Sequence, residues 1–321
     1  MPPKILLTRR WPVAVETYLR QRYDVTVDPA DRPLTEAELV QAMGQYDAIC
    51  PTVTDRIGAA ILSAANPRVR ILGNYGAGFE HIDLEAAKAA GIIVTNTPDV
   101  LTDATADLAI LLMLMASRRA GEGERELRAG HWTGWRPTHL LGQGLAGKRL
   151  GLVGFGRIAQ ATAARARAFG LSIAYYSRRR ADPAVEATLD AVYVGSLEEL
   201  AATSDVLSLH CPGGAATRYL VNAGLLARMK PTSILVNTAR GSVVKDDDLA
   251  AALKDGIIAA AGLDVFDGEP AVNPALIGLP NAVLLPHLGS ATLETRTAMG
   301  MRVAANLERF FAGEAPHDRV A

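Results

Sequence analysis

The stretch from Arg149 to Arg180 limits what this chain can fold into more than any other. It opens on Leu150-Gly151-Leu152-Val153, an apolar run of the kind a buried parallel strand needs. Gly154-Phe155-Gly156-Arg157-Ile158-Ala159 follows, and then Gln160–Phe169, Ala- and Arg-rich, reads as a helix stopping at Gly170. A second apolar run, Ser172–Tyr176, closes a strand–turn–helix–strand unit of about 30 residues. That setting gives the glycines a mechanism. Gly154 allows the tight turn, and Gly156 lets the backbone approach a pyrophosphate at a positive helix end that begins with Arg157 and Ile158. Ala159 holds the third position, where only a small side chain is needed between helix and strand. Alone, such glycines also occur in ordinary strand–helix turns; between these two elements they read as a dinucleotide fingerprint.

The end of the second strand selects the dinucleotide. A site for NAD usually places Asp or Glu about 20 residues past the glycines, on the ribose 2′-hydroxyl. Here that place holds Ser177, followed by Arg178, Arg179 and Arg180. A carboxylate repels a 2′-phosphate, whereas a hydroxyl and guanidinium forks bind it. The alternative is a solvated basic turn. The residues favour NADP(H), with NAD(H) still possible.

Strand–helix alternation fills the rest of the chain. Before the fingerprint, strands fit Lys4–Thr8, Tyr23–Val27, Ala48–Cys50, Val69–Asn74 and Ile92–Asn96, with helices between them. Thr35 and Glu38 form a capping-box pattern at one helix start. A helix from about Ala104 to Arg119 is apolar all round at its centre, as expected of one buried between domains or subunits. From there to Lys148 the pattern offers no regular element, and Gly130–His139 is rich in Gly, Pro and Trp. A loop of that length is usually functional. Beyond the fingerprint, strands fit Ala191–Val194, Val206–His210, Ser233–Asn237, Ile258–Leu263 and Ala282–Leu285, and a last helix fits Thr292–Phe311. Such alternation implies parallel sheets covered on both faces.

Composition sets the remaining bounds. The 321 residues favour two domains, and 33 basic against 34 acidic residues point to neither nucleic acid nor an anionic membrane as partner. Cys50 and Cys211 are too few for a disulfide framework or a zinc site, and no metal is expected. No apolar run reaches the ~20 residues of a membrane span, so a cytoplasmic protein is expected.

Three segments at carboxyl ends of expected strands carry groups suited to chemistry, where open α/β sheets place their ligands. Arg240, in Asn237-Thr238-Ala239-Arg240-Gly241, is placed to hold a carboxylate bidentately. Asp264 to Pro270 brings Glu269, and Pro286-His287-Leu288-Gly289 brings His287. A histidine held by a carboxylate can donate a proton near neutral pH. Singly, each reads equally well as a surface charge, a turn residue or a structural histidine; together beside a dinucleotide fold they read as a reaction set.

The combination resembles the D-2-hydroxyacid dehydrogenase family over essentially the whole chain. The resemblance rests on Asn74-Tyr75-Gly76-Ala77-Gly78-Phe79-Glu80-His81-Ile82-Asp83, Thr97-Pro98-Asp99-Val100-Leu101-Thr102, the glycine fingerprint and the three segments just named. The Trp132-Thr133-Gly134-Trp135-Arg136-Pro137 loop and Ser177-Arg178 are most similar to glyoxylate/hydroxypyruvate reductases. The resemblance implies two doubly wound parallel-sheet α/β domains with a cleft between them. Residues 1–100 plus 289–321 would form a flavodoxin-like substrate domain, and residues 101–288 a Rossmann cofactor domain with 120–147 as a dimerisation arm. It implies that Arg240 binds the substrate carboxylate and carbonyl oxygen, that His287 protonates that oxygen, and that Glu269 holds the imidazole. Tyr75 and the backbone of Ala77 and Gly78 would meet the substrate. Asp264 would bind the nicotinamide amide, and Pro212, Thr217, Thr238, Ala239, His287 and Gly289 would line the cofactor site.

The reaction so implied is NADPH-dependent reduction of glyoxylate or hydroxypyruvate, to glycolate or D-glycerate, by a homodimer. Trp135 of the neighbouring subunit would narrow each site. Other readings are a D-lactate-type dehydrogenase, a phosphite dehydrogenase, or a dinucleotide-sensing co-repressor. Gly213-Gly214 departs from the bulkier residues usual after Cys211-Pro212 and bears on pocket shape.

Overall fold

A computed structural model describes residues Met1–Ala321. The chain divides into two units, Met1–Leu101 with Ala291–Ala321, and Thr102–Ser290. The first is built on five parallel strands: β1 (Lys4–Leu7), β2 (Asp24–Val27), β3 (Ala48–Cys50), β4 (Ile71–Gly73) and β5 (Ile93–Thr95). Their order, β2-β1-β3-β4-β5, is the flavodoxin-like one. The period-two rule explains how these short strands serve two cores. Ile5, Leu7, Ala48, Cys50 and Ile71 face one side, and Leu6, Ile49 and Leu72 the other. The helices Val13–Arg20 and Leu293–Phe311 cover the first side. The fit there is close: a Cβ on Gly73 would lie 2.7 Å from Val303. Arg302 holds the tail through a bidentate pair with Asp318, at 2.6 and 2.7 Å. Thr35 and Glu38 do form a reciprocal capping box at the helix Glu36–Gln45.

The second unit has seven parallel strands: β6 (Arg149–Val153), β7 (Ser172–Tyr176), β8 (Ala191–Tyr193), β9 (Val206–Leu209), β10 (Ile234–Asn237), β11 (Ala260–Leu263) and β12 (Ala282–Leu284). Their order is β12-β11-β10-β9-β6-β7-β8, so the direction of winding reverses between β6 and β9. That is the Rossmann arrangement, with its ligand crevice expected at the reversal. Both sheets are thus doubly wound and wholly parallel. No helix is long and apolar enough to cross a membrane.

Local details go beyond the sequence pattern. Within the single chain, the helix Thr102–Ser117 packs Ala109, Leu112 and Met113 on the sheet and leaves Leu111 44% exposed. Its polar edge is tied down, with Asp103 and Asp107 both paired to Arg165. The span after Arg119 is not wholly irregular, since Ala120–Arg128 is a helix separated from its predecessor by the left-handed Arg119, φ 52°. It buries no residue, so no hydrophobic face announces it; Arg119–Glu122 and Glu124–Arg128 pairs support it. Pro183–Leu189 is a further helix, capped by Asp182 with proline in its first turn.

Candidate active site

The fingerprint turn follows β6 at the winding reversal. Gly154 has φ +87°, and a Cβ there would lie 3.0 Å from the backbone of His210 and Cys211. Only glycine permits both the conformation and the approach. Gly156 has open space where a side chain would be, and the helix Arg157–Ala168 that it begins has no side-chain cap. A helix end with uncapped N–H groups beside an open glycine suits a pyrophosphate in both charge and hydrogen-bond sense. The residues present therefore fit a dinucleotide. Thr238 adds a buried hydroxyl with no partner in the protein.

At the end of β7, Ser177 is half-buried, and Arg178 and Arg179 are exposed without an ion-pair partner. Arg180 is committed elsewhere. It pairs with Glu186 at 2.8 Å, and the same carboxylate accepts the Tyr175 hydroxyl at 2.5 Å. The Tyr175 hydroxyl also receives Ala181 N–H, so this network anchors the basic turn to a tyrosine stacked on Phe155. Glu186 lies in the helix with no sequence pattern strong enough to be expected; the Asp182-Pro183 start was its only signal.

Adjacent strands β10, β11 and β12 deliver the other three groups. Asn237 shapes the first turn by accepting Ala239 N–H and donating to Arg240 O, each at 3.0 Å. Gly241 is wedged against the next turn; a Cβ would lie 1.8 Å from the Phe266 carbonyl carbon. Glu269 uses both oxygens, taking Phe266 N–H at 2.9 Å and meeting His287 Nδ1 at 2.8 Å. Burial pushes this carboxyl up, but His287, the Phe266 N–H and the Arg240 guanidinium outweigh it and hold it below the usual range. It is therefore an anion at neutral pH, and it fixes the imidazole proton on Nδ1. Nε2 makes no hydrogen bond within the protein.

His287 itself sits in a left-handed conformation, φ 54°. A non-glycine residue held there costs roughly 1–3 kcal/mol unless its surroundings enforce it. Asp264 supplies that enforcement. Its carbonyl accepts His287 N–H at 2.9 Å, and its carboxylate accepts Leu288 N–H at 2.6 Å and Gly289 N–H at 2.8 Å. Burial pushes the Asp264 carboxyl up against the pull of those donors and of His287. Ala239 is buried, Pro212 is exposed, and Thr217 spends its hydroxyl on Pro212 O at 2.7 Å.

In the first unit, the turn after β4 leaves the N–H groups of Ala77, Gly78 and Phe79 unpaired within the protein. Tyr75 packs on Trp11 with ring centroids 4.5 Å apart and donates its hydroxyl to Arg296 O at 2.6 Å. Burial raises that phenol to about 12. Trp132 and Trp135, on the segment beyond Arg128, are 52% and 81% exposed.

Residues 110–289 match the family model for the NAD-binding domain of D-isomer-specific 2-hydroxyacid dehydrogenases. Over its full length the chain is 45% identical to a glyoxylate reductase of Thermococcus litoralis, covering 97% of that protein. It also matches solved structures end to end. One is a D-isomer-specific 2-hydroxyacid dehydrogenase of Polaromonas, with 39% identity and a TM-score of 0.94 over 100% of both chains. Another is an NADPH-dependent glyoxylate/hydroxypyruvate reductase of Sinorhizobium meliloti, solved with NADP and malonate. It is 37% identical, with a TM-score of 0.89 over 100% of this chain and 97% of that one.

The chain belongs to the D-2-hydroxyacid dehydrogenase family. It is an NAD(P)-dependent dehydrogenase, of the class that interconverts 2-keto and 2-hydroxy acids. For such a dehydrogenase the set on β10–β12 offers a cation, a proton carrier and an anion that orients it, with Arg240 close enough to lower the Glu269 carboxyl.

Proposed function

We propose that this dehydrogenase reduces glyoxylate and hydroxypyruvate, to glycolate and D-glycerate, and draws on NADPH in preference to NADH. The reading of the reaction rests above all on the 2.8 Å contact that leaves His287 Nε2 as the free end of a Glu269-oriented imidazole. Bound NADPH supplies the hydride that reduces the carbonyl carbon. The protein's own residues do the rest. Arg240 binds the carboxylate and carbonyl oxygen, and protonated His287 delivers Nε2–H to that oxygen as its negative charge develops. Glu269, an anion at neutral pH, stabilises the imidazolium that this step requires. The amides of Ala77 and Gly78 take the substrate carboxylate in the first unit, beside Tyr75.

Preference for NADPH is supported by Ser177, Arg178 and Arg179, which have no competing carboxylate partner. Gly154, Gly156, Arg157 and Ile158 would take the pyrophosphate, and Asp264, through the free lone pairs of its carboxylate, the nicotinamide amide. The names of the matched reductases support the choice of substrate. Residues 101–288 serve the cofactor in this reading, and 1–100 with 289–321 the substrate.

Steady-state reduction of glyoxylate, hydroxypyruvate and pyruvate with NADPH and NADH in parallel tests the whole reading. The two small polar keto acids with NADPH should give the highest kcat/KM. Dominant turnover of pyruvate, or of phosphite with NAD, would instead mark a D-lactate-type or phosphite enzyme, and peptide binding without turnover a co-repressor.

The exposed tryptophans extend the proposal. A tryptophan in water leaves ~150–250 Å² uncovered. We place residues 120–147 as the arm of a cytoplasmic homodimer in which Trp135 reaches the other subunit's site and limits the group on C2. Trp135→Ala should then admit bulkier 2-keto acids while the protein still sediments as a dimer. An unchanged substrate range, or a native monomer, removes the shared site.

A further inference from the structure

The turn after β4 carries a device that none of the roles above includes. In a trans peptide the C=O of one residue and the N–H of the next point in opposite directions within one rigid plane. Pinning a carbonyl therefore aims the following amide. Here three successive carbonyls are pinned from one side. Gly76 O accepts from Asn74 Nδ2 and from Thr97 N–H, both at 3.0 Å. Ala77 O accepts from Asn96 Nδ2 at 2.7 Å, and Gly78 O from Asn74 Nδ2 at 2.9 Å. The amides these planes aim are those of Ala77, Gly78 and Phe79, the three left without a partner.

Asparagine is the residue this frame needs. Its Nδ2 has two N–H groups for the carbonyls of Gly76 and Gly78, and its Oδ1 meets His81 Nε2 at 3.0 Å. Asn74 is fully buried, and every polar atom of its side chain is spent within the turn. An aspartate there would set a carboxylate against two carbonyls.

We infer that Asn74 and Asn96 are positioning residues that hold the Ala77, Gly78 and Phe79 amides as a preformed three-donor receptor for the substrate carboxylate. The inference rests on the reading that Ala77 and Gly78 take that carboxylate, and it adds Phe79 N–H as the third donor. Neither asparagine touches substrate. Their effect is to spare the ligand the ordering of three peptide planes, and a loss of preorganisation appears as weaker binding.

The test uses the NADP-loaded enzyme and oxalate, a carboxylate with no reducible carbonyl. Amide resonances of Ala77, Gly78 and Phe79 should shift together on titration. In Asn96→Leu, which removes one donor and adds no charge, oxalate Kd and glyoxylate KM should both rise about tenfold, as expected when a preformed receptor must order on binding. The milder Asn74→Ser should move the same two quantities and serves if larger changes at that buried site fail to fold. The NADPH KM should stay as it is, because a merely structural defect would move it as well. Shifts at Ala77 and Gly78 with unchanged oxalate affinity in both variants would overturn the frame and leave the carboxylate reading standing. No shift at any of the three amides in the unmutated enzyme would overturn both.

Discussion

Two glycine-containing turns in this protein offer backbone N–H groups after a parallel strand, and they are built differently. The Gly154–Arg157 turn leads into a helix of 12 residues, so its donors are backed by the aligned peptides of that helix. The Gly76–Phe79 turn has no helix behind it and is held by Asn74, Asn96 and the Thr97 backbone. One receptor is made by main chain alone and is sensitive to an added Cβ. The other is made by two side chains and can be dismantled one donor at a time. The difference suits the ligands proposed for them: a pyrophosphate carries more charge than a single carboxylate and is matched by the aligned peptides of a helix, whereas a small carboxylate needs only a few aimed amides.

The largest expected effect separates both receptors from the chemistry. His287→Ala should lower kcat by at least ~10²-fold, the usual scale for a lost general acid. The KM for either ligand should move little. In the unmutated enzyme, reduction needs imidazolium and oxidation needs imidazole, so their pH profiles should run in opposite directions. Near-normal turnover of His287→Ala would sink the assignment.

Next in size is the change of cofactor. Ser177→Asp combined with Arg178→Ala should reverse the preference for NADPH by about tenfold to a hundredfold, the worth of one or two charge-assisted contacts. Equal kcat/KM for NADPH and NADH before mutation would show the basic turn to be solvated surface.

A paired substitution then sharpens the contrast between the turns. Gly154→Ala forces a side chain into φ +87° and to 3.0 Å from backbone. NADPH affinity should fall about tenfold, given the roughly 1–2 kcal/mol cost of that conformation alone. At Gly76 a Cβ would meet nothing nearer than 3.4 Å, so Gly76→Ala should leave glyoxylate KM nearly unchanged. Equal sensitivity in fluorescence titrations and KM would erase the distinction.

The smallest effect concerns the loop that carries Glu269. Asp246 begins the helix Asp246–Lys254, and burial pushes its carboxyl up to about 6, with Asp267 and Asp247 adding to the rise against an Asp267 N–H bond. A raised carboxyl favours the fold below its unfolded value near 3.8, and that contribution is lost as pH rises through about 6. Asp246→Asn keeps an acceptor for Asp267 N–H and removes the charge. It should stabilise the protein by about 1–2 kcal/mol at pH 7.5, discounted for solvent screening, and by almost nothing at about pH 3, below the unfolded value. Calorimetry at the two pH values checks the sign.

The contrast between the turns also explains what was legible in the sequence. The Gly154 turn could be read because strand, glycines and helix are contiguous, and each leaves a local pattern. Both parallel sheets followed from alternation, and the placement of Arg240, Glu269 and His287 from strand ends. The frame around Ala77 could not be read from pattern, because Asn74 and Asn96 lie on β4 and β5 flanks and meet only once those strands pair. Glu186 was hard to read for a similar reason: its meaning depends on Tyr175, eleven residues back on the preceding strand. The helix Ala120–Arg128 lacked a signal because it buries nothing. Charge pairs at three- and four-residue spacing were its one trace.

The division of the chain also sets an order of events during synthesis. Thr102–Ser290 is continuous, so that unit can fold as soon as it has left the ribosome. The other unit needs Ala291–Ala321 as well, because Val303 fills the space above Gly73 and Arg319 pairs with Thr95. At roughly 5–20 residues per second, its first hundred residues wait on the order of ten to forty seconds for that last helix. Throughout that interval the apolar face of β1, β3 and β4 has the helix Val13–Arg20 but lacks Val303, Ala304 and Leu307, and a half-covered face of that kind is prone to aggregation until the chain is complete.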